Sequence, residues 1–177
     1  VTLQRVTERE MKPFPGETSR LPSPGPAGSS QQDVLPSEAL RTVDEHDMLS
    51  RGDRVMVGLS GGADSLCLFY LLLDMARDRG LSCLVAHVNH MLRGRESDAE
   101  ELFVRDVADR AGVPAVVGRV DVAGERERSR LSTQVAAREL RYRFLKEACL
   151  EHGCNKLALG HTLDDQAETV AMRLLRG

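Results

Sequence analysis

The chain has no tryptophan, and phenylalanine and tyrosine bring its aromatic share to only 3%. An exposed aromatic platform for stacking bases is therefore excluded, and the core must be built from Leu, Val and Ala. Charge of one sign is lacking too. Twenty-four basic and 27 acidic residues leave a formal net charge of -3, which gives no global attraction to nucleic acid or an anionic membrane. Any RNA contact must be local. There is no CxxC and no Cys/His cluster at zinc-ligand spacing among the four cysteines, Cys67, Cys83, Cys149 and Cys154. The longest apolar stretch, Leu66 to Met75, is broken by Asp74 and falls far short of the roughly 20 residues of a membrane span. The start shows no basic head, apolar middle and small-residue cleavage site, so the reading is of a reduced, cytosolic protein without a membrane segment.

What is present divides in two. Residues 1 to 36 hold six of the seven prolines, with Gly and Ser between them, and are read as a disordered leader. Residues 37 to 177 are read as one domain. A short amphipathic helix with Leu40, Val43 and Leu49 precedes the β-type run Arg54 to Leu59. The chain then alternates. A helix is expected over Ser65 to Arg79, with Leu66, Phe69, Leu72, Leu73 and Ala76 inward. Strand Ser82 to His87 follows. Ser97-Asp-Ala-Glu100 has the form of a capping box, opening a helix with Phe103, Val104, Val107, Ala108 and Ala111 inward. Ala115 to Val120 reads as a strand, Asp121 to Arg130 as a loop, and Ser132 as the N-cap of a helix to about His152. That helix buries Ala137, Leu140, Phe144 and Ala148. Lys156 to Gly160 is the last strand, and the last helix runs from Leu163 with Ala167, Val170, Ala171, Leu174 and Leu175 as its stripe.

Repeated β-then-α units with glycine-marked joints predict an α/β fold, a parallel sheet with helices on both faces. Ligands in such sheets sit at the carboxyl ends of the strands. That rule selects Ser60 to Ser65, His87 to Gly94 and His161 to Glu168.

In Ser60-Gly-Gly-Ala-Asp-Ser65 the glycines let the backbone approach a ligand, while the helix that follows offers free N–H groups and the positive end of its dipole. The loop lacks the lysine of a Walker A sequence and has Asp64 instead. A carboxylate beside a phosphate cradle calls for a divalent cation between them, which assigns Asp64 to Mg²⁺. The plainer alternative is a Gly-Gly turn with Ser65 capping its helix.

Ser-Gly-Gly-x-Asp-Ser after the first strand resembles the pyrophosphatase loop of the PP-loop ATPases. Two further blocks resemble the tRNA(Ile)-lysidine synthetase family: His87-Val-Asn-His-Met-Leu-Arg-Gly94 with Glu96-Ser-Asp98, and Gly160-His-Thr-Leu-Asp-Asp-Gln-Ala-Glu-Thr169 running into Arg173-Leu-Leu-Arg-Gly177. Ala137-Arg-Glu-Leu-Arg-Tyr142 resembles another of its blocks. The likeness covers residues 48 to 177, a PP-loop fold related to the Rossmann type. Thr162 stands where the family commonly has a second histidine.

The resemblance implies ATP and Mg²⁺, with isoleucine tRNA bearing a CAU anticodon and free L-lysine as substrates. The C2 carbonyl oxygen of the wobble cytidine would attack the α-phosphate, pyrophosphate would leave, and the lysine amine would displace AMP to give lysidine. Ser60, Gly61, Gly62, Ala63, Asp64 and Ser65 would hold the phosphates, and His87 and His90 would contact the nucleotide. Arg93 would be the best fork for the leaving pyrophosphate.

Asp164 and Glu168, four apart, share one helix face, and Asp165 points away to cap Thr162. The two clustered carboxylates can hold the lysine ammonium, take its proton or bind a second metal, with Asp165 a further catalytic candidate, or the acidic first turn can simply satisfy a helix dipole. Arg138 and Arg141 read either as a solvated face or as tRNA phosphate contacts. Family members continue beyond the block that ends at Gly177, so the expectation is a chain truncated at its carboxyl end. The rival readings are a PP-loop tRNA thiolase and a non-catalytic ATP-binding fragment.

Overall fold

The computed structural model of the protein describes residues 2–5 and 37–160. Five strands form one sheet: β1 (Thr2–Arg5), β2 (Arg54–Gly58), β3 (Ser82–Asn89), β4 (Ala115–Arg119) and β5 (Lys156–Leu159). Their order is β1-β5-β2-β3-β4. The four strands from β5 to β4 are mutually parallel, as expected for β-then-α units, and β1 pairs antiparallel with β5, Thr2 opposite Leu159 and Arg5 opposite Lys156. The helices are α1 (Ser37–Glu45), α2 (Ala63–Arg79), α3 (Arg95–Arg110), α4 (Val122–Ser129) and α5 (Thr133–Glu151).

The period of two along each strand sorts the core into two layers. Val55, Val57, Val85 and Ala158 face a layer made with Val43 of α1, Leu68, Phe69, Leu72 and Met75 of α2, and Val104, Val107 and Ala108 of α3. Met56, Leu84, Ala86, Leu157 and Leu159 face Leu145, Ala148 and Cys149 of α5. Full burial of such a Leu or Phe is worth about 1.5–3 kcal/mol, so the helices are held chiefly by these faces.

Several expectations are corrected. Thr2–Arg5 belongs to the sheet and not to a disordered leader. These residues precede the first proline, Pro13, and among the described residues β1 is the strand that covers the outer edge of β5. Residues 6–36, the proposed last helix and its stripe lie outside the described residues. Asp121–Arg130 contains helix α4, capped by Asp121, whose carboxylate accepts from Gly124 N at 2.9 Å. α3 begins at Arg95 after Gly94, so Ser97 is not a cap: its side chain is turned inward and buried. Phe103 is 44% exposed, because α3 buries Ser97, Glu101, Val104, Val107 and Ala108 instead. α2 likewise starts two residues early and buries Leu68 and Met75, with Leu66 and Leu73 only partly covered. In α5 the buried positions are Ala136 and Leu145 rather than Ala137 and Phe144, while Ser132 caps it as expected, accepting from Val135 N.

At the amino end of the sheet a buried polar group ties β2 to β5. Asp53 accepts from Ser50 N at 2.8 Å and from the Asn155 amide at 2.7 Å, and Lys156, 3.8 Å away, donates to the Met48 carbonyl at 2.9 Å. Burial pushes the Asp53 carboxyl up, but the hydrogen bonds from Ser50 and Asn155 and the Lys156 charge outweigh it, leaving the group below its usual 3.8. The unfolded chain therefore takes up the proton first, so this stabilisation is present above the ordinary aspartate value and is lost as pH falls through the folded one. We expect Asp53→Asn to cost about 2 kcal/mol at neutral pH. Between about pH 6 and pH 3 its melting temperature should fall less steeply than the parent's, and equal slopes would contradict the assignment.

Candidate nucleotide site

A cleft of about 410 Å³ opens at the carboxyl ends of β2, β3 and β5, the edge at which ligands sit in open α/β sheets. Ser60, Gly62, Ser65, His87, His90 and Arg93 line it, with Glu100, Arg141 and Gly160. Two of the three segments selected from the sequence thus meet in one place.

The first wall is the turn from β2 into α2. Gly61 holds φ +86°, a left-handed conformation that a side chain resists, and this reverses the chain. Gly62 is the N-cap, extended and without a capping side chain, so the first N–H groups of α2 are left to a ligand or water. Ser65 braces this turn from behind. Its buried hydroxyl donates to the Gly62 carbonyl at 2.8 Å, accepts from Ser60 N at 3.2 Å and lies 3.1 Å from the Ser60 hydroxyl. Ser65 therefore holds the loop's shape and does not cap the helix. A Cβ added to Gly160 would lie 2.9 Å from Ser65 Cα and N, so glycine is what lets the end of β5 run against the first turn of α2.

Ala63 and Asp64 are exposed in that first turn, and neither lines the cleft. Among the described residues no three His, Cys, Asp or Glu gather as a metal set. A lone carboxylate still fits Mg²⁺, which keeps several waters and takes one or two carboxylates together with substrate phosphates.

The second wall is the end of β3 and the loop after it. His87 Nδ1 lies 2.8 Å from the Leu59 carbonyl, which can only accept, so Nδ1 carries a proton and Nε2 is left as the acceptor of the neutral ring. That Nε2 and His90 Nδ1 are buried without a partner among the described residues. His90 is held below its usual value by burial, then by the Arg141 and His87 charges, against a smaller pull from Glu100, and is therefore neutral at pH 7. The Arg93 guanidinium is half-turned to solvent and engaged by Glu100 at 2.9 Å and Glu96 at 3.7 Å. Arg141, read from sequence as a surface or tRNA-phosphate residue, lines the cleft and lies over the Tyr142 ring, and Arg138 lies over the same ring. Glu100 was not singled out, since its place in Ser97-Asp-Ala-Glu100 suggested a cap. Asp164, Asp165 and Glu168 lie outside the described residues.

No cysteine lines the cleft. Burial pushes the Cys83 thiol up to about 11 and Cys149 to about 12, and raises Cys154, so these three are structural thiols; Cys67 is exposed on α2.

A PP-loop domain model matches residues 36–177. Similar curated proteins include the tRNA(Ile)-lysidine synthases of Clostridium tetani, 36% identical over 138 residues, and of Bacillus cereus, 42% identical over 135 residues. These alignments cover 78% and 76% of this chain but only 30% and 28% of the relatives, so the chain spans less than a third of their length. Among solved structures, the U34-tRNA thiolase NcsA from Methanococcus maripaludis, with its [4Fe-4S] cluster, superposes with a TM-score of 0.67 at 25% identity, over 82% of this chain and 52% of the other. Together with the parallel sheet and the uncapped glycine turn at its carboxyl edge, the match over residues 36–177 establishes that the chain belongs to the PP-loop domain family.

Proposed function

We propose that the chain is the nucleotide-binding part of an enzyme that adenylates the wobble cytidine of isoleucine tRNA and joins lysine to it. The observation that carries this reading is the Ser60–Ser65 turn, braced from behind by a buried hydroxyl and open at an uncapped helix start. The naming of the curated relatives as tRNA(Ile)-lysidine synthases supports the choice of tRNA and product.

In this reading the N–H groups at the start of α2 receive phosphate oxygens, and the positive end of the helix dipole favours their charge. The cytidine O2 attacks the α-phosphorus, the bond to the β-phosphate oxygen breaks, and pyrophosphate leaves. The lysine amine then attacks C2, loses a proton to a carboxylate, and AMP departs with the oxygen. Mg²⁺ held by Asp64 and the phosphates would neutralise the charge that builds on the leaving group. Arg93 serves the same end once it exchanges Glu100 for phosphate, a bidentate partner that suits a guanidinium. In the neutral ring His87 Nε2 is the acceptor and suits an N–H or O–H donor of the nucleoside.

A thiolase is the second reading, favoured by the likeness to NcsA. Sulfur delivery calls for cysteines at the activated base, as reactive thiols or as ligands of a cluster, whereas none of the four cysteines here lines the cleft and burial raises three of them. That placement supports ligation.

The test is AMP release that depends on isoleucine tRNA, measured for the whole protein. The release should be completed by lysine and yield a lysine-bearing tRNA. Transfer of sulfur instead, or AMP release indifferent to both, would overturn it.

Asp64→Asn should weaken Mg²⁺–ATP binding about tenfold, roughly 1.4 kcal/mol, while leaving ATP affinity in EDTA unchanged. Equal Mg²⁺-dependent binding by variant and parent would remove Asp64 from the metal site. Glu100→Gln should have the opposite sign. Releasing Arg93 from an exposed ion pair worth about 0.2–1 kcal/mol should tighten ATP by up to about fivefold, read by calorimetry. Unchanged or weaker binding would show that Arg93 does not exchange partners.

A further inference from the structure

Asn89 closes β3 and is 2% exposed, and both ends of its amide are engaged, the oxygen by the loop that follows and the nitrogen by α3. Its Nδ2 donates to Glu101 Oε2 at 3.1 Å, to Asp98 Oδ1 at 3.3 Å and to the Ser97 carbonyl at 3.4 Å. Its Oδ1 accepts from Met91 N at 2.9 Å. Such a turn lets the side chain stand in for backbone, and here it holds Met91 at φ +52°, a conformation unfavourable for a residue with a long side chain. Gly94, at φ +51°, closes the same loop, and Ser97 Oγ accepts from Arg93 N at 3.4 Å.

Glu101, 7% exposed, lies at the centre of the cluster. Arg105 donates to it at 3.2 and 3.3 Å from its own helix, and Arg119 donates at 3.1 Å from the end of β4. Burial raises its carboxyl, but the hydrogen bonds from Asn89, Arg119 and Arg105 outweigh that and keep it ionised.

Replacing a buried ion cluster as a whole by well-packed apolar side chains is often neutral or stabilising, so stability alone does not call for this one. A cluster at the cleft end of the sheet, with its bonds spent on residues 91, 97 and 98, has a different use. We infer that Asn89 and Glu101 are positioning residues of the nucleotide site: Glu101, held by Arg105 and Arg119, fixes the Asn89 amide, and that amide folds residues 90 to 94 so that His90 and Arg93 face the cleft. The clamp stands on geometry alone, and its consequence for nucleotide rests on the function proposed above.

The experiment compares Asn89→Ala and Glu101→Gln with Asn155→Ala, which weakens the opposite end of the sheet. Amide exchange at Met91 and Arg93 is read without nucleotide, and Mg²⁺–ATP affinity by calorimetry, in the parent and in a chain carrying His90→Ala with Arg93→Ala. Asn89→Ala should speed Met91 exchange about tenfold or more and weaken Mg²⁺–ATP about tenfold. In the His90→Ala, Arg93→Ala chain it should weaken binding no more than about twofold, because the groups it positions are gone. Glu101→Gln keeps an acceptor for Asn89 while losing the charge that Arg119 holds, and should give a smaller change in the same direction. It carries the test if Asn89→Ala does not fold. Asn155→Ala should lower the melting temperature with affinity unchanged. Full loss of affinity in the His90→Ala, Arg93→Ala chain, equal loss from Asn155→Ala, or unaltered exchange at Met91 would each overturn the inference. A parent with protected Met91 that binds no Mg²⁺–ATP would overturn the nucleotide reading and leave the clamp standing.

Discussion

The site depends on the brace behind the first turn of α2. A single buried hydroxyl, that of Ser65, ties together the Gly62 carbonyl, Ser60 N and the Ser60 side chain. Gly160, having no Cβ, lets the end of β5 run against the backbone of Asp64 and Ser65 in the same turn. The consequence is electrostatic. A helix start held rigid and left without a cap presents oriented N–H groups to whatever enters the cleft, and pays no reorganisation when charge arrives there.

The two ends of the sheet use buried polar groups differently. At the amino end, Asp53, Asn155 and Lys156 satisfy one another and the backbone of residues 48 to 54, which locks β2 to β5. At the carboxyl end, Asn89 and Glu101 satisfy a loop that carries His90 and Arg93. Arg93 is in turn engaged by Glu100 rather than fixed. In the proposed reading a charged ligand would meet the braced turn on one wall and, on the other, a cation that can exchange Glu100 for phosphate. That combination permits both binding and release of a polyanion.

Much of this was legible because the strands obey a strict period. Val55 and Val57 face one layer and Met56 the other, as alternation requires, and the glycine turn between strand and helix marked the loop. Where the sequence misled, the signal was ambiguous or nonlocal. Half of α4 is charged and it buries only Val122, so it has no apolar stripe to detect. β1 exists through pairing with a strand more than 150 residues away, which no local pattern encodes. On α3 the inward stripe begins with Ser97 and Glu101, so ranking by hydrophobicity selects Phe103 in their place. A glutamate spaced to fall on the buried face was the overlooked cue, and it leads to the Asn89 clamp. The sequence also shows Asp64 beside the cradle but not that it stands exposed, outside the cleft lining.

The central claim, that the carboxyl edge of β2, β3 and β5 receives the nucleotide with its phosphates at the start of α2, is tested most directly by mapping backbone amide shifts on addition of a non-hydrolysable Mg²⁺–ATP analogue and, separately, of adenosine. The account predicts that the analogue shifts Gly61, Gly62, Ala63 and Gly160, that adenosine alone leaves Gly61 to Ala63 in place, and that Asp53 to Val55 respond to neither. Shifts centred at the Asp53–Lys156 end, or Gly61 to Ala63 moving equally with adenosine, would contradict it.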